Sequence, residues 1–168
     1  MKIMLCGDID SGKSTLIRKL LEDMGNPPKG YITVRMPAVD GVSKVYLYDI
    51  ANPPERVEDA AVIITIENEV REKHPELLDT LGVQYLTDIP AGSVVVLDEI
   101  GSLESASPEF QKAVMRILSG DYTVLAAVKA ANTDFLRRVR SHPDCELYII
   151  TPRNRDELYE QLKREYNI

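Results

Sequence analysis

Cysteine, histidine, basic charge and long apolar runs are all scarce in these 168 residues, and each shortage excludes something. Two cysteines, Cys6 and Cys145, are too few for a disulfide framework or a four-ligand zinc site. Each lies in an apolar stretch, so both are expected as reduced core thiols of a cytoplasmic protein. The two histidines, His74 and His142, each precede a proline and have no Cys/His cluster around them. They are expected in surface turns, not on a metal. The longest apolar runs, such as 60–64, fall far short of a membrane span. The run Ile3–Cys6 is too short for a signal peptide. Lys and Arg number 20 against 27 Asp and Glu, a formal net charge of −7 at pH 7. That deficit argues against a general nucleic-acid or anionic-membrane binder, because such partners need clustered cations. It leaves room for a local anion site made of backbone amides and one lysine.

What is present is enough apolar residue, 44%, to fill a sizeable core, and one compact domain over residues 1–168 is expected. Apolar runs alternate with helical patterns. Lys2–Cys6 precedes a glycine-bearing loop and a helix from about Lys13, in which Leu16, Ile17, Leu20, Leu21 and Met24 recur at helical spacing. Gly25 and Pro27-Pro28 stop it. Ser93–Leu97 reads as a buried strand, followed by a helix opened by Ser107-Pro108-Glu109 and ended by Gly120. Thr123–Val128 and Glu146–Ile150 are further strands, each followed by a helix, over about 133–140 and from Asn154. Asn154 and Glu157 have capping-box spacing. Between them, Tyr31–Met36 and Lys44–Ile50 flank Asp40-Gly41 as a hairpin with a loop longer than two residues, Val62–Ile66 is a candidate strand, and helices are expected within 68–88. Strands apolar on both faces alternating with helices predict an α/β fold of three layers. Its central sheet is mostly parallel with helices on both faces, and the hairpin-like segment lies in the first half.

The strongest local signal is Gly7-Asp8-Ile9-Asp10-Ser11-Gly12-Lys13-Ser14, which fits G-x-x-x-x-G-K-[ST] between a strand and a helix. The glycines let the chain curl until successive N–H groups point at phosphate oxygens, and the helix adds its positive end. Lys13 is expected to bridge the β- and γ-phosphates and Ser14 to ligate Mg²⁺. Gly7, Asp8, Ile9, Asp10, Ser11, Gly12, Lys13, Ser14 and Thr15 are therefore the candidate nucleotide-binding residues. Asp8 and Asp10 are unusual in a loop for a polyanion, and their carboxylates are expected to face solvent.

A second signal is Val94-Val95-Val96-Leu97-Asp98-Glu99, four apolar residues ending in two acids. Ligands of parallel sheets lie beyond the carboxyl ends of the strands, so Asp98 is placed on Mg²⁺ and Glu99 on the attacking water. Candidate catalytic residues are Lys13 and Glu99; candidate metal residues are Ser14 and Asp98. Asp98-Glu99-Ile100-Gly101 also fits a GTPase D-x-x-G, but Val128-Lys129-Ala130-Ala131 lacks the Asn and Asp that would read guanine. Arg137, Arg138 and Arg140 can clamp phosphates as a kinase lid or simply complement a helix C-terminus, and the second reading is preferred. Lys29, Arg35, Arg153 and Arg155 are unranked candidates near the nucleotide. Tyr31, Tyr46 and Tyr48 are expected to pack in the core.

With these residues in view, the sequence resembles the P-loop nucleoside-triphosphatases of broad NTP specificity first associated with thermophiles, a RecA-like branch of the P-loop fold. Asp98-Glu99-Ile100-Gly101, Leu103-Glu104, then Ser107-Pro108 with Phe110, is similar to that family's D-E-I-G-x-[ML]-E…S-P-x-F stretch. Gly30-Tyr31-Ile32-Thr33 resembles its G-[FY]-x-T strand. Asp144, Glu146-Leu147, Thr151-Pro152 and Asn154-Arg155-Asp156 resemble its C-terminal pattern. The chain departs from it at Asp8 and Asp10, at Val34 where acids are usual, with Arg35 slightly out of register, and at Lys129 where His is common. The resemblance implies Mg²⁺-dependent hydrolysis of NTPs to NDP and phosphate with loose base specificity. Two alternatives share the loop: a nucleotide or small-molecule kinase, and a nucleotide-sensing module with negligible turnover. The expected partner in each is a nucleoside triphosphate, with no nucleic acid and no membrane.

Overall fold

The computed structural model describes residues 1–168. Strand β1 (Lys2–Gly7) and helix α1 (Lys13–Met24) are joined by the glycine loop, and Gly25 closes the helix in the left-handed region at φ 66°. Strands β2 (Lys29–Arg35), β3 (Val42–Asp49), β4 (Ala61–Glu67) and β5 (Val70–Lys73) follow. A π-helical turn (Leu78–Gly82) runs into a single-turn helix, α2 (Val83–Tyr85). The second half alternates β6 (Val94–Ile100), α3 (Pro108–Ser119), β7 (Thr123–Lys129), α4 (Asp134–Arg140), β8 (Glu146–Ile149) and α5 (Arg155–Tyr166).

All eight strands form one sheet in the order β5-β4-β3-β2-β6-β7-β1-β8. The stretch β2-β6-β7-β1-β8 is parallel throughout. On the β2 side, β3, β4 and β5 extend it as antiparallel hairpins. Period-two alternation explains how apolar runs serve both faces. Ile3, Leu5, Val96, Leu125 and Ala127 pack on one face against Leu16, Ile17 and Leu20 of α1 and Leu158 and Leu162 of α5. Met4, Val95, Leu97, Val124, Ala126 and Val128 pack on the other against α3, α4 and the 78–86 segment through Phe110, Val114, Ile117, Leu136, Leu78 and Leu86.

Several local expectations are refined or corrected. The hairpin connection between β2 and β3 is residues 36–41, longer than two as expected, and its tip is a tight turn at Asp40-Gly41, both at positive φ, 51° and 81°, between a bridged Val39 and Val42. Residues 68–88 do hold the expected helix, over 76–85, but its middle, Leu78–Gly82, is π-helical and the stretch before it is not helix at all. Asn68 and Glu69, at φ 46° and 67°, turn β4 into the exposed strand β5 before the π-helical segment. Ser107 precedes α3 but does not cap it: its hydroxyl donates to the Pro75 carbonyl at 2.8 Å and ties the 75 turn to α3. Asn154 accepts from the Thr151 amide at 2.7 Å and leaves α5 without a side-chain cap. Thr133 does cap α4, accepting from the Leu136 amide at 3.2 Å. Strand β6 runs on to Ile100, so the acid pair belongs to the strand and not to a loop beyond it.

His142 is 8% exposed, not in an open turn. Its Nδ1 accepts from the Asp144 amide at 3.3 Å, so Nε2 carries the proton and donates to Ser119 Oγ at 3.0 Å. His74 is partly exposed between Glu72 and Glu76. Both cysteines are free; Cys6 is buried, while Cys145 is half-buried and burial pushes its thiol up to about 11. No helix is long and apolar enough to cross a membrane.

Candidate active site

The loop after β1 curls because two positions accept no side chain. A Cβ on Gly7 would lie 2.3 Å from the Ile150 carbonyl oxygen. Gly12 sits at φ 96° with the Arg155 side chain where its Cβ would be. The Lys13 ammonium folds back over the loop and donates to the carbonyls of Gly7 at 3.0 Å and Asp8 at 2.8 Å. It also meets Glu99 Oε1 at 3.0 Å. Asp8 and Asp10 are exposed, as expected of the two carboxylates, and so is Ile9; Ile9 and Asp10, the latter at φ 62°, stand on the rim of the cavity. Ser11 is the exception in the loop: its hydroxyl is buried and has no partner.

Two consecutive acids on a regular strand would point to opposite faces. Here the β6–β7 register slips: Asp98 pairs with Ala127 and Ile100 with Val128, so Glu99 is bulged out of the ladder. The bulge lets both carboxylates reach the loop side of the sheet. The peptide bond between them is cis. Asp98 accepts from the Ser14 hydroxyl at 3.0 Å. Glu99 lies between two ammonium groups, Lys13 at 3.0 Å and Lys129 at 3.4 Å, and its amide donates to Thr33 Oγ1 at 3.1 Å. Burial pushes the Asp98 carboxyl up to about 6, against the Ser14 hydrogen bond that favours the carboxylate. No group of three or more His, Cys, Asp or Glu side chains converges here as a self-sufficient metal cage. Ser14 and Asp98 instead offer hard oxygen donors on one side only, which suits a small divalent cation completed by phosphate oxygens and water.

These residues line a cavity of about 490 Å³ that begins at Ile9, Asp10, Gly12, Lys13, Ser14, Thr15 and Arg155 and passes Asp98, Glu99 and Lys129. It continues onto β2–β5 at Thr33, Val34, Arg35, Val45, Ile64, Ile66 and Arg71. A profile of the NTPase family matches residues 2–163. The chain belongs to the NTPase family.

Among NTPase relatives, nucleoside-triphosphatase THEP1 of Thermofilum pendens is 40% identical over 95 residues, 55% of this chain and 52% of that protein. THEP1 of Methanothermobacter thermautotrophicus is 28% identical over 95% of this chain and 92% of its own length. THEP1 of Thermotoga maritima is 26% identical over 96% and 93%. The crystal structure of THEP1 from the hyperthermophile Aquifex aeolicus shares the fold, with TM-score 0.70, 21% identity and 96% of each chain covered.

The sequence candidates sort clearly in this NTPase. The loop, Asp98 and Glu99 come together, and of the four unranked cations Arg35 and Arg155 line the cavity while Lys29 and Arg153 do not. The kinase-lid arginines stay away from it: Arg140 donates to the carbonyls of Lys129 and Ala131, and Arg137 bonds Asn132 and Asp134. Tyr31 is buried edge-on to Phe110 with centroids 5.3 Å apart, and none of Tyr31, Tyr46 and Tyr48 lines the cavity. Sequence reasoning missed Arg71, the aliphatic wall of Val45, Ile64 and Ile66, and the ion pair of Lys129 with Glu99. Glu104 lies behind the site, fully buried, with Oε2 unpaired and its carboxyl raised by burial.

Proposed function

We propose that this chain hydrolyses nucleoside triphosphates to nucleoside diphosphate and phosphate, with Mg²⁺ and with loose base preference. The observation that carries the reading is the placement of the Glu99 carboxylate at a phosphate loop, held by Lys13 and Lys129 beside the Ser14–Asp98 pair. Amides of residues 9–14 and the start of α1 take the phosphate oxygens. Lys13 leaves its carbonyl partners for the β- and γ-phosphates, which frees Glu99 to accept a hydrogen bond from the attacking water. Lys129 then steadies Glu99 on its other oxygen. Water attacks the γ-phosphorus, its proton passes toward Glu99, and the β–γ bridging oxygen leaves with the diphosphate. Mg²⁺ held by Ser14, and by Asp98 through water, supplies charge neutralisation on the phosphates when bound. No aromatic ring faces the cavity to select a base by stacking, which favours loose base preference.

The test is phosphate release from ATP, GTP, CTP and UTP with Mg²⁺. Wild type is expected to release phosphate from all four. Glu99→Gln should lower kcat by roughly 10²-fold or more while nucleotide still binds. A wild type no faster than Lys13→Ala sinks the hydrolysis reading. Tight binding with no turnover would leave the sensing module in its place.

A further inference from the structure

The cavity is too wide for the triphosphate alone to explain its walls. The phosphate loop leaves the end of β1, and Glu99 stands on β6, two strands away. At about 4.8 Å per strand, Lys13 and Glu99 put a γ-phosphate at β6, and the lining then continues four strands further, roughly 19 Å, to Arg71 on β5. On the nucleotide reading, the nucleoside end would run the other way, past Thr15 and Arg155 at the loop end of the cavity. The β2–β5 flank therefore lies beyond the γ-phosphate, where an NTP has no atoms left to place.

That flank has its own chemistry. Register pairs Arg35 with Val45 and Val45 with Ile64, and it pairs Ile66 with Arg71. These five side chains share one face of the sheet: three aliphatic residues between two guanidinium groups. Neither Arg35 nor Arg71 has a carboxylate within salt-bridge distance; Arg35 makes one hydrogen bond, to Ser43 Oγ at 3.3 Å. By alternation Glu72 projects from the opposite face of β5 to Arg71, and Lys73 from the same face. In a chain of net charge −7, two unpaired arginines over an apolar floor are a local reversal of sign.

We infer that this flank is a second ligand subsite, taking a small phosphomonoester with an apolar or planar body alongside the bound nucleotide. Guanidinium groups match a phosphate in their planar fork, and the body would lie on Val45, Ile64 and Ile66. The direction of the cavity rests on the nucleotide reading above; the arginine–aliphatic arrangement does not.

The experiment uses 1-naphthyl phosphate as probe, followed by its fluorescence and by calorimetry. The full chain is first loaded with Mg²⁺ and a non-hydrolysable ATP analogue, whose own binding is measured. One probe per loaded chain is expected, with 1-naphthol and inorganic phosphate each binding far more weakly. Arg71→Ala and Arg35→Ala should each weaken the probe about tenfold or more, a loss several-fold larger than any for the analogue. Arg71→Lys should recover part of it. Both positions are exposed, and circular dichroism checks that the variants fold. The proposal is overturned if the loaded chain takes no probe, if the probe is displaced by the analogue, or if it binds both arginine variants as it binds wild type. Should the analogue itself fail to bind, the nucleotide reading falls. The arginine dependence of the probe on the unloaded chain then decides the subsite on its own.

Discussion

Two adjoining aromatic residues separate packing from polarity. Tyr31 and Phe110 are both fully buried and meet edge to face. The Tyr31 hydroxyl has no partner, and the buried Glu104, whose charge acts on it, holds an unpaired oxygen of its own. A buried hydroxyl without a hydrogen bond keeps its desolvation cost and gains nothing back. Tyr31→Phe is therefore expected to leave the denaturant midpoint unchanged or raise it, whereas Phe110→Ala should cost about 3–5 kcal/mol by opening a cavity. Urea unfolding of both variants checks the pair; a Tyr31→Phe loss above about 1 kcal/mol would show that the hydroxyl is bonded after all. At this scale the glycine loop between β1 and α1 was legible because its eight residues are contiguous and their spacing encodes the turn. Glu99 was legible by type and position, but the bulge that re-aims it is not, since a slipped register leaves no trace in Val94–Ile100 itself.

Helix ends show what a sequence pattern specifies and what tertiary contacts override. Ser107, Thr133 and Asn154 all occupy N-cap positions by type, yet only Thr133 accepts from its own helix. Ser107 instead bonds the Pro75 carbonyl and Asn154 the Thr151 amide, tertiary and loop contacts that replace the cap. Thr133→Ala should thus destabilise by about 1 kcal/mol through the cap. Ser107→Ala should also cost stability, but by loosening residues 75–85 from α3. Hydrogen exchange distinguishes them: the first should raise exchange in α4, the second in the 78–85 segment while α3 stays protected. Equal loosening of α3 in the second variant would return Ser107 to a capping role. The parallel units were legible from alternation and glycine stops. Strand β5 was not, because Val70–Lys73 is exposed and polar and is a strand only through its pairing with β4. The same reason hides Arg71: its neighbours Ile66 and Ile64 are brought to it by hairpin register, which no spacing rule along 68–88 reveals.

The molecule as a whole carries excess acid, yet its cavity is lined by five cations, Lys13, Arg35, Arg71, Lys129 and Arg155, against three carboxylates, Asp10, Asp98 and Glu99. Acid is thus concentrated elsewhere, and the one acid pushed into the floor, Asp98, bears a strain that a cation would relieve. Without metal its carboxyl sits at about 6 in the folded chain against an ordinary 3.8. The folded state then holds a proton that the unfolded state gives up sooner, so this group's stabilising contribution is full below about pH 4 and is lost as pH rises through about 6. The shift corresponds to roughly 3 kcal/mol at neutral pH. Asp98→Asn keeps an acceptor for Ser14 but removes the titration. In Mg²⁺-free buffer the variant and wild type should therefore unfold at similar temperatures near pH 4, and the variant should become the more stable by pH 8. Adding Mg²⁺ with a non-hydrolysable ATP analogue should reverse that order, since a divalent cation favours the carboxylate that burial opposes and must displace a proton below about pH 6. Thermal unfolding of the two proteins at pH 4, 6 and 8, with and without Mg²⁺ and analogue, reads the difference directly. If the gap between them does not widen with pH in the metal-free series, Asp98 is not held up by burial. If it widens but Mg²⁺ with the analogue fails to close it, the cation does not sit beside Asp98, and the assignment of the metal to the Ser14–Asp98 pair falls while the phosphate loop stands.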